Sequence, residues 1–326
     1  MNVLMMTLFL ILAVIHSAWF IRRRIKRNRY QQIHQTEPPA SFSPGVALYI
    51  SGQKTIGSKQ LTATLLDFVR GGNATLHRDG PSSPVVRFEA VERPVESPSS
   101  ILLFDFLFHE VGTGGVLYVE DLYTFTELDS GRNRFLEVVD EWQEQIESEL
   151  SELELLDLSP LFRKIGVATH LMMLFLMAVL LFLVPLFGFF AFILTVVSFS
   201  LFLLESNLTD RGAELRAKWL GYRAYLHTMT DAEDTGADKW TAHFVYAVAF
   251  GLLTSLSRAF PIREASELSL RTDQLPIYFY AAPGTAALSA ESIQMFRDVD
   301  AAFDHGIHGE AAGLDQGIND IGLSDS

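Results

Sequence analysis

The chain has 326 residues, a formal net charge of −14 and no cysteine. Disulfides and thiolate metal sites are therefore excluded, and an acidic chain is a poor general ligand for the phosphates of nucleic acid. Nearly half the residues are hydrophobic and the mean hydropathy is +0.22, which fits a few membrane spans joined to sizeable water-soluble parts. The charge is unevenly spread. Residues 1–30 carry six Lys/Arg and no acid, residues 31–204 carry ten basic and twenty-one acidic side chains, and residues 205–326 carry nine and eighteen.

The first apolar run is VLMMTLFLILAVIHSAWF, residues 3–20. Its length is about what a bilayer core needs at ~1.5 Å per helical residue. The basic stretch IRRRIKRNR follows it, the reverse of a secretory leader, so the run is expected to be an uncleaved anchor. Arg22, Arg23, Arg24, Lys26, Arg27 and Arg29 should stay in the cytoplasm, with the N-terminus outside. Trp19 and Phe20 fall where an interfacial aromatic belt is expected.

The linker QTEPPASFSPG follows, with Pro38, Pro39 and Pro44 blocking helix continuation. A helix is expected from Ser58, as cap, to Gly71 and Gly72, with a stripe of Leu61, Leu65, Leu66, Phe68 and Val69. NATLHR and VVRFEAV read as two short strands around a DGPSSP turn. Helix, helix, strand, turn, strand is the outline of a winged helix, with Ser58 to Arg70 in the place of a recognition helix. That helix offers Lys59 and Arg70, with Lys54 before it and Asp67 within it, a thin footprint for DNA. A helix capped near Ser99, a strand in GGVLYVED and an acidic helical segment from Asp121 to Leu156 complete the unit. Phe135, Val138, Val139 and Trp142 mark the apolar face of that segment, and its charged stretch EWQEQIESELSELELLDL reads as solvated.

The run VATHLMMLFLMAVLLFLVPLFGFFAFILTVVSFSLFLLE is about twice a span, and Pro185 and Gly188 break it. It reads as a hairpin of spans at residues 167–184 and 187–204. Basic flanks at Arg163, Lys164, Arg211, Arg216 and Lys218 place both ends inside. His16 and His170 are the ionisable groups near the spans, and each lies close to a span end, as neutral interfacial histidines do. Spans without a carboxylate or lysine speak against a transporter or proton pump.

The helix LTDRGAELRAKWLGYRAYLHTM carries a stripe of Leu215, Trp219, Tyr222 and Leu226 and a second stripe of Ala213, Ala217, Leu220 and Ala224. Thr209 or Asp210 can cap it, and Glu214 and Lys218 have ion-pair spacing. Two packing faces suit a bundle helix rather than one lying on lipid. WTAHFVYAVAFGLLTSLSRAF is nearly long enough for a fourth span, but His243, Tyr246, Thr254, Ser255, Ser257 and Arg258 favour a buried bundle helix. LPIYFYAAP reads as an edge strand or connector. The helix after it, with Ile293, Phe296, Val299 and Phe303, packs on a core.

These last segments resemble the C-terminal region of the YciQ-like predicted membrane proteins of bacteria. Thr209, Gly212, Trp219, Gly221, Tyr222, Leu226, Tyr246, Ala247, Ala249 and Gly251 carry the resemblance, and TATLLDFVRGGNATL extends it, so that it covers roughly residues 1–305. It implies a bacterial plasma-membrane protein and supplies a topology rather than a reaction. It also implies a β-rich outer domain before the first span, so the sequence reads as a shortened member or a truncated frame.

No nucleotide loop, dinucleotide fingerprint or zinc-protease helix is present. Ser51 lacks nucleophile-elbow spacing. Asp304, His305, His308 and Glu310 could meet a metal, but a Gly-rich tail is a poor frame for one. Asn73 and Asn207 match the glycosylation pattern but fall on the cytoplasmic side. No catalytic, cofactor or metal residue is assigned. The expected protein is a three-span α-helical membrane protein with a winged-helix-like α+β unit at 31–165, a mainly α-helical unit at 205–305 and a disordered tail at 306–326. Its expected partners are the lipid bilayer and a protein, with nucleic acid disfavoured and no small-molecule substrate. The alternatives are a membrane-tethered DNA-binding regulator and a transporter subunit.

Overall fold

The computed structural model describes residues 2–28, 33–53, 55–78, 86–95, 97–156, 160–203, 208–229, 237–253, 262–263, 280–282 and 285–309. In chain order the first elements are α1 (Asn2–Asn28), α2 (Pro44–Ser51), α3 (Ser58–Arg70), β1 (Ala74–Arg78), β2 (Val86–Ala90), α4 (Pro98–Asp105), β3 (Val116–Tyr118), α5 (Val119–Glu127) and α6 (Asp129–Glu152). They continue as α7 (Pro160–Leu183), α8 (Pro185–Leu203), α9 (Asp210–Thr228), α10 (Ala237–Ala249), β4 (Ile262–Arg263), β5 (Tyr280–Ala282), β6 (Thr285–Ser289) and α11 (Ala290–His308). The described chain is mostly helical. It divides into one compact unit of residues 1–32 and 151–214 and another of residues 33–150 and 215–326.

In the first unit α1, α7 and α8 pack on one another. The break between α7 and α8 falls at Val184, with Pro185 opening α8, where its missing N–H costs nothing. Phe9, Met173, Leu176, Leu180 and Ala191 form the inner seam, and the larger apolar side chains turn outward. Two boundaries differ from expectation. The first helix runs on through the basic stretch to Asn28, because Arg and Lys are good helix formers. The second starts at Pro160, ahead of Arg163 and Lys164. By length and apolarity one helix, at Gly166–Leu183, is sufficient to cross a membrane, while Val3–Ala18 and Pro185–Ser200 are shorter apolar helices.

The second unit joins both soluble segments in one core, where the sequence suggests two units packed together. Helix α3 packs against α2 before the hairpin and against α10 and α11 after it. Its expected stripe is buried, and so are Gln60, Thr62 and Thr64, so almost no free face remains. The expected strands pair antiparallel in the order β1-β2-β3. Leu76, Phe88 and Leu117 lie side by side in the register and are all buried. The turn at residues 79–85 lies outside the described residues. A second small sheet, β4-β6-β5, precedes α11, where only an edge strand or connector was expected.

Capping departs from the expected residue at α3 and follows it at α9. Gly57, not Ser58, sits at the cap of α3, and its N–H donates to Gln60 Oε1 at 2.5 Å. Ser97 caps α4, close to the expected Ser99. Thr209 caps α9, with Gly212 N–H donating to its hydroxyl at 3.0 Å. The acidic α6 is not a purely solvated helix. Phe135, Val138, Trp142, Ile146 and Leu150 are buried along one side, and two of its carboxylates are structural. Glu147 accepts from the Tyr49 hydroxyl at 2.6 Å, and Glu149 accepts from Ser97 Oγ and Ser99 N–H at the start of α4. Helix α10 stops at Ala249, and Gly251 turns the chain at φ +69°, so no single helix continues toward residue 260. In α11 the helix reaches His308, past the expected start of the tail.

Two positions test the packing of the second unit. A Cβ on Gly45 would meet Trp142 Cζ2 at 2.5 Å, and Trp142 is fully buried. The Gly45→Ala variant is expected to lose about 1–3 kcal/mol of stability, the usual cost of overpacking, read as a lower midpoint in chemical denaturation. Asp300 on α11 faces Ser58, Thr62 and Lys59 at the start of α3. Burial holds its carboxyl above the ordinary range, against the favourable pull of Ser58 and Lys59. A raised acid binds its proton more readily when folded, so its contribution to stability falls as pH rises from about 4 through its native value. Denaturation midpoints of the wild type should therefore lose more between pH 4 and 7 than those of Asp300→Asn. Parallel pH profiles would show that Asp300 is not held out of water.

Candidate functional site

Two polar clusters lie inside the protein, one in each unit. In the second unit the stripe of α9 builds an aromatic cluster. Trp219, Tyr222 and Leu226 are buried as the helical spacing requires, and Trp219 and Tyr222 pack on Tyr246 of α10 with ring centroids 5.0 and 5.9 Å away. The second stripe does not hold: Leu220 and Ala224 are exposed. The Tyr222 hydroxyl and His243 Nδ1 are 2.6 Å apart and buried. Burial, and then Tyr246, hold the Tyr222 hydroxyl well above the ordinary phenol range, so it stays protonated. The His243 tautomer sets which of the two donates. Tyr246, raised in the same way, donates to the Phe42 carbonyl at 2.5 Å and ties α10 to the chain before α2.

Asp67 and Arg70 lie one turn apart at the end of α3, with Nη2 and Oδ1 at 2.7 Å. Burial raises the Asp67 carboxyl while Arg70 opposes it, and Asp67 in turn holds the Arg70 charge despite burial. Arg70, one of the two cations that α3 was expected to offer to DNA, is thus paired with Asp67 beside Tyr246 and Tyr222. Chemically, this cluster is a set of locked donors and acceptors that fixes α3, α9 and α10.

The residues that carry the family resemblance have a physical reason. A Cβ on Gly221 would lie 2.0 Å from the Ile33 carbonyl oxygen, and one on Gly212 2.1 Å from that of Leu155. Each glycine lets a second backbone pass against α9.

In the first unit His16, His170 and Ser198 come from α1, α7 and α8. The two rings meet edge to face, with centroids 4.6 Å apart, and both side chains are buried. His170 Nδ1 lies 2.8 Å from the Gly166 carbonyl, which fixes it as the protonated nitrogen of the neutral ring. Its Nε2 lies 3.3 Å from Ser198 Oγ and accepts from that hydroxyl. Phe199 and Phe202 pack on the His170 ring. Sequence reasoning placed both histidines singly at an interface. The contact between them was missed, although each stands about one turn from its span's basic end, a signal that two antiparallel helices could bring them level.

The remaining candidates are dispersed. Ser51 Oγ donates to the Ala47 carbonyl of its own helix. Asp304 and His308 pair at 3.1 Å on the last turn of α11, and His305 packs on Tyr123 instead. Glu310 and Asn207 lie outside the described residues. No group of three metal-ligating side chains occurs among the described residues. Asn73 donates to the Glu92 carbonyl at 3.1 Å, closing the loop beside β2.

The family whose model matches is the C-terminal domain of the predicted membrane proteins DUF2207, over residues 28–260. No curated protein and no solved structure matches the chain. The match covers most of the chain, including α3, the α7–α8 hairpin and the aromatic cluster of α9 and α10, and the chain belongs to the DUF2207 family of predicted membrane proteins.

Proposed function

We propose that this protein is a non-catalytic scaffold of the YciQ-like type, held in the bacterial plasma membrane by three spans, with its second unit in the cytoplasm as the docking module for a protein partner. The observation that carries the reading is the make-up of that second unit. Its core needs residues from before α7 and after α8, so both segments lie on one side of any membrane that α7 crosses. An even number of crossings must separate them, and α8 is the helix available for the return.

Lengths agree with this. The 19 residues of α8 rise about 28 Å, and α1 from Asn2 to Ile21 rises about 30 Å, close to the ~30 Å hydrocarbon core. The outward side chains of the three helices are large and apolar, including Val14 at 65%, Phe182 at 92% and Leu186 at 87% exposure. His16, His170 and Thr195 are turned inward, and the outward hydroxyls of Thr7 and Ser200 donate to carbonyls one turn back in their own helices, as in a unit solvated by lipid. The basic residues in the last turns of α1 and just beyond it support a cytoplasmic second unit.

The absence of a free face on α3 disfavours a DNA-binding regulator, since a recognition helix must enter a groove. The small polar content of the helix interiors disfavours a transporter subunit.

Two measurements bear on the reading. The natural chain has no cysteine, so single cysteines at Glu144, Thr228 and Leu186 can be probed with a membrane-impermeant maleimide in vesicles of both orientations. Glu144→Cys and Thr228→Cys should label from the cytoplasmic face alone and Leu186→Cys from the opposite face. Labelling of Leu186→Cys and Thr228→Cys from the same face would remove the hairpin. Mild extraction from native membranes after cross-linking should yield a partner at fixed stoichiometry, and recovery of the chain alone would count against a scaffold.

A further inference from the structure

The polar contact among three otherwise apolar helices calls for a role. On the reading above, that α1, α7 and α8 are embedded in lipid, we propose that His16 and His170 form a proton-operated latch that docks α1 on the α7–α8 hairpin when neutral and releases it when both rings are protonated.

The site is built rather than incidental. The Gly166 carbonyl accepts from both Thr169 Oγ1, at 3.1 Å, and His170 Nδ1, at 2.8 Å. A Cβ on Gly166 would lie 2.4 Å from Phe202 Cε2, so glycine is the residue that lets the Phe202 ring reach the histidine. With Nδ1–H given to Gly166 and Nε2 accepting from Ser198, neutral His170 is fully hydrogen-bonded, and His16 packs on its ring. The latch therefore joins α1 to α7 through the ring pair, and α7 to α8 through Ser198.

A metal ion fits less well. A linear two-coordinate ion would hold the rings on opposite sides of itself, not edge to face at 4.6 Å. A tetrahedral ion needs further donors, and the described residues hold no third metal-ligating side chain there. A divalent charge among apolar helices would also lack a counter-anion.

Protonation changes the contact directly. A first proton can be accommodated, because Ser198 Oγ can turn to accept from Nε2–H. A second places like charges on rings 4.6 Å apart, where phenylalanine rings rather than water surround them. Among the described residues, Gly166 and Thr169 on α7 and Ser198, Phe199 and Phe202 on α8 face the pair. Along the chain, Arg22 follows His16 by six residues and Lys164 precedes His170 by six. Histidine is the side chain that makes such a change between about pH 5 and 8.

The test uses the full chain in lipid nanodiscs, with spin labels on cysteines at Val14 and Phe182, both on outward faces. A single narrow distance at pH 7.5 should broaden or lengthen at pH 5.0, and return on neutralisation. His16→Gln with His170→Gln keeps hydrogen-bonding groups but cannot titrate, and should hold one distance at both pH values. A wild-type distance that does not move, or a Gln variant that moves as the wild type does, overturns the latch. The same labels report on the underlying reading. Relaxation by oxygen rather than by a water-soluble nickel chelate shows them in lipid, so a latch failure in lipid-facing labels is distinct from failure of the membrane assignment.

Discussion

The enclosure of α3 is the constraint on which the rest of the second unit depends. Leu61, Leu65, Leu66 and Phe68 are almost wholly buried. At about 1.5–3 kcal/mol for each fully buried large apolar side chain, they are a major source of stability. Their partners come from α2, α10 and α11, which lie on both sides of the α7–α8 hairpin in sequence. Neither flank could close this core alone. The same fact ties the two flanks together, because any change that separated them would part the two halves of one core.

On the proposed membrane reading, the first unit follows a different rule. In lipid, apolar burial between helices gives little driving force, and association depends on packing and on interhelical hydrogen bonds. Its inner seam is correspondingly thin, and the directional contacts sit at one end, where His16, His170 and Ser198 meet. Exposed Phe182 and Leu186 would be a liability in water, but among acyl chains they are ordinary. The two units thus reverse the usual relation between polarity and burial within one chain.

What was legible in the sequence was whatever local periodicity and local breakers determine. Pro185 located the hairpin break to within a residue, the α3 stripe was read correctly, and Trp219 and Tyr222 were recognised as anchors. Strand pairing followed from alternation. Features that depend on distant partners were not legible. Ser58 and Ser99 are good caps by type, yet Gln60 and Ser97 hold the helix starts, because burial of Ser58 and the approach of Glu149 decide the geometry. The outline of a winged helix was present in element order, but order does not reveal that α10 and α11 cover the face a recognition helix would need. The His16–His170 contact escaped for the same reason, since it joins residues 154 positions apart.

The acidic charge of the soluble segments acquires a more specific meaning from α6. Glu147 and Glu149 sit in what reads as a solvated run, but one anchors Tyr49 and the other caps α4. Charge density in the sequence therefore overstates what is available at the surface, and the same holds for Asp67, which is matched by Arg70. What remains outward on α6 is still acidic, with Glu144 exposed and Arg134 drawn to Glu110, Glu137 and Glu141. A surface of that sign is repelled by anionic headgroups, whereas the stretch from Arg22 to Arg29 is attracted to them. The acidic face of α6 and the basic segment from Arg22 to Arg29 are thus parts of opposite charge, and the two respond in opposite directions to an anionic surface.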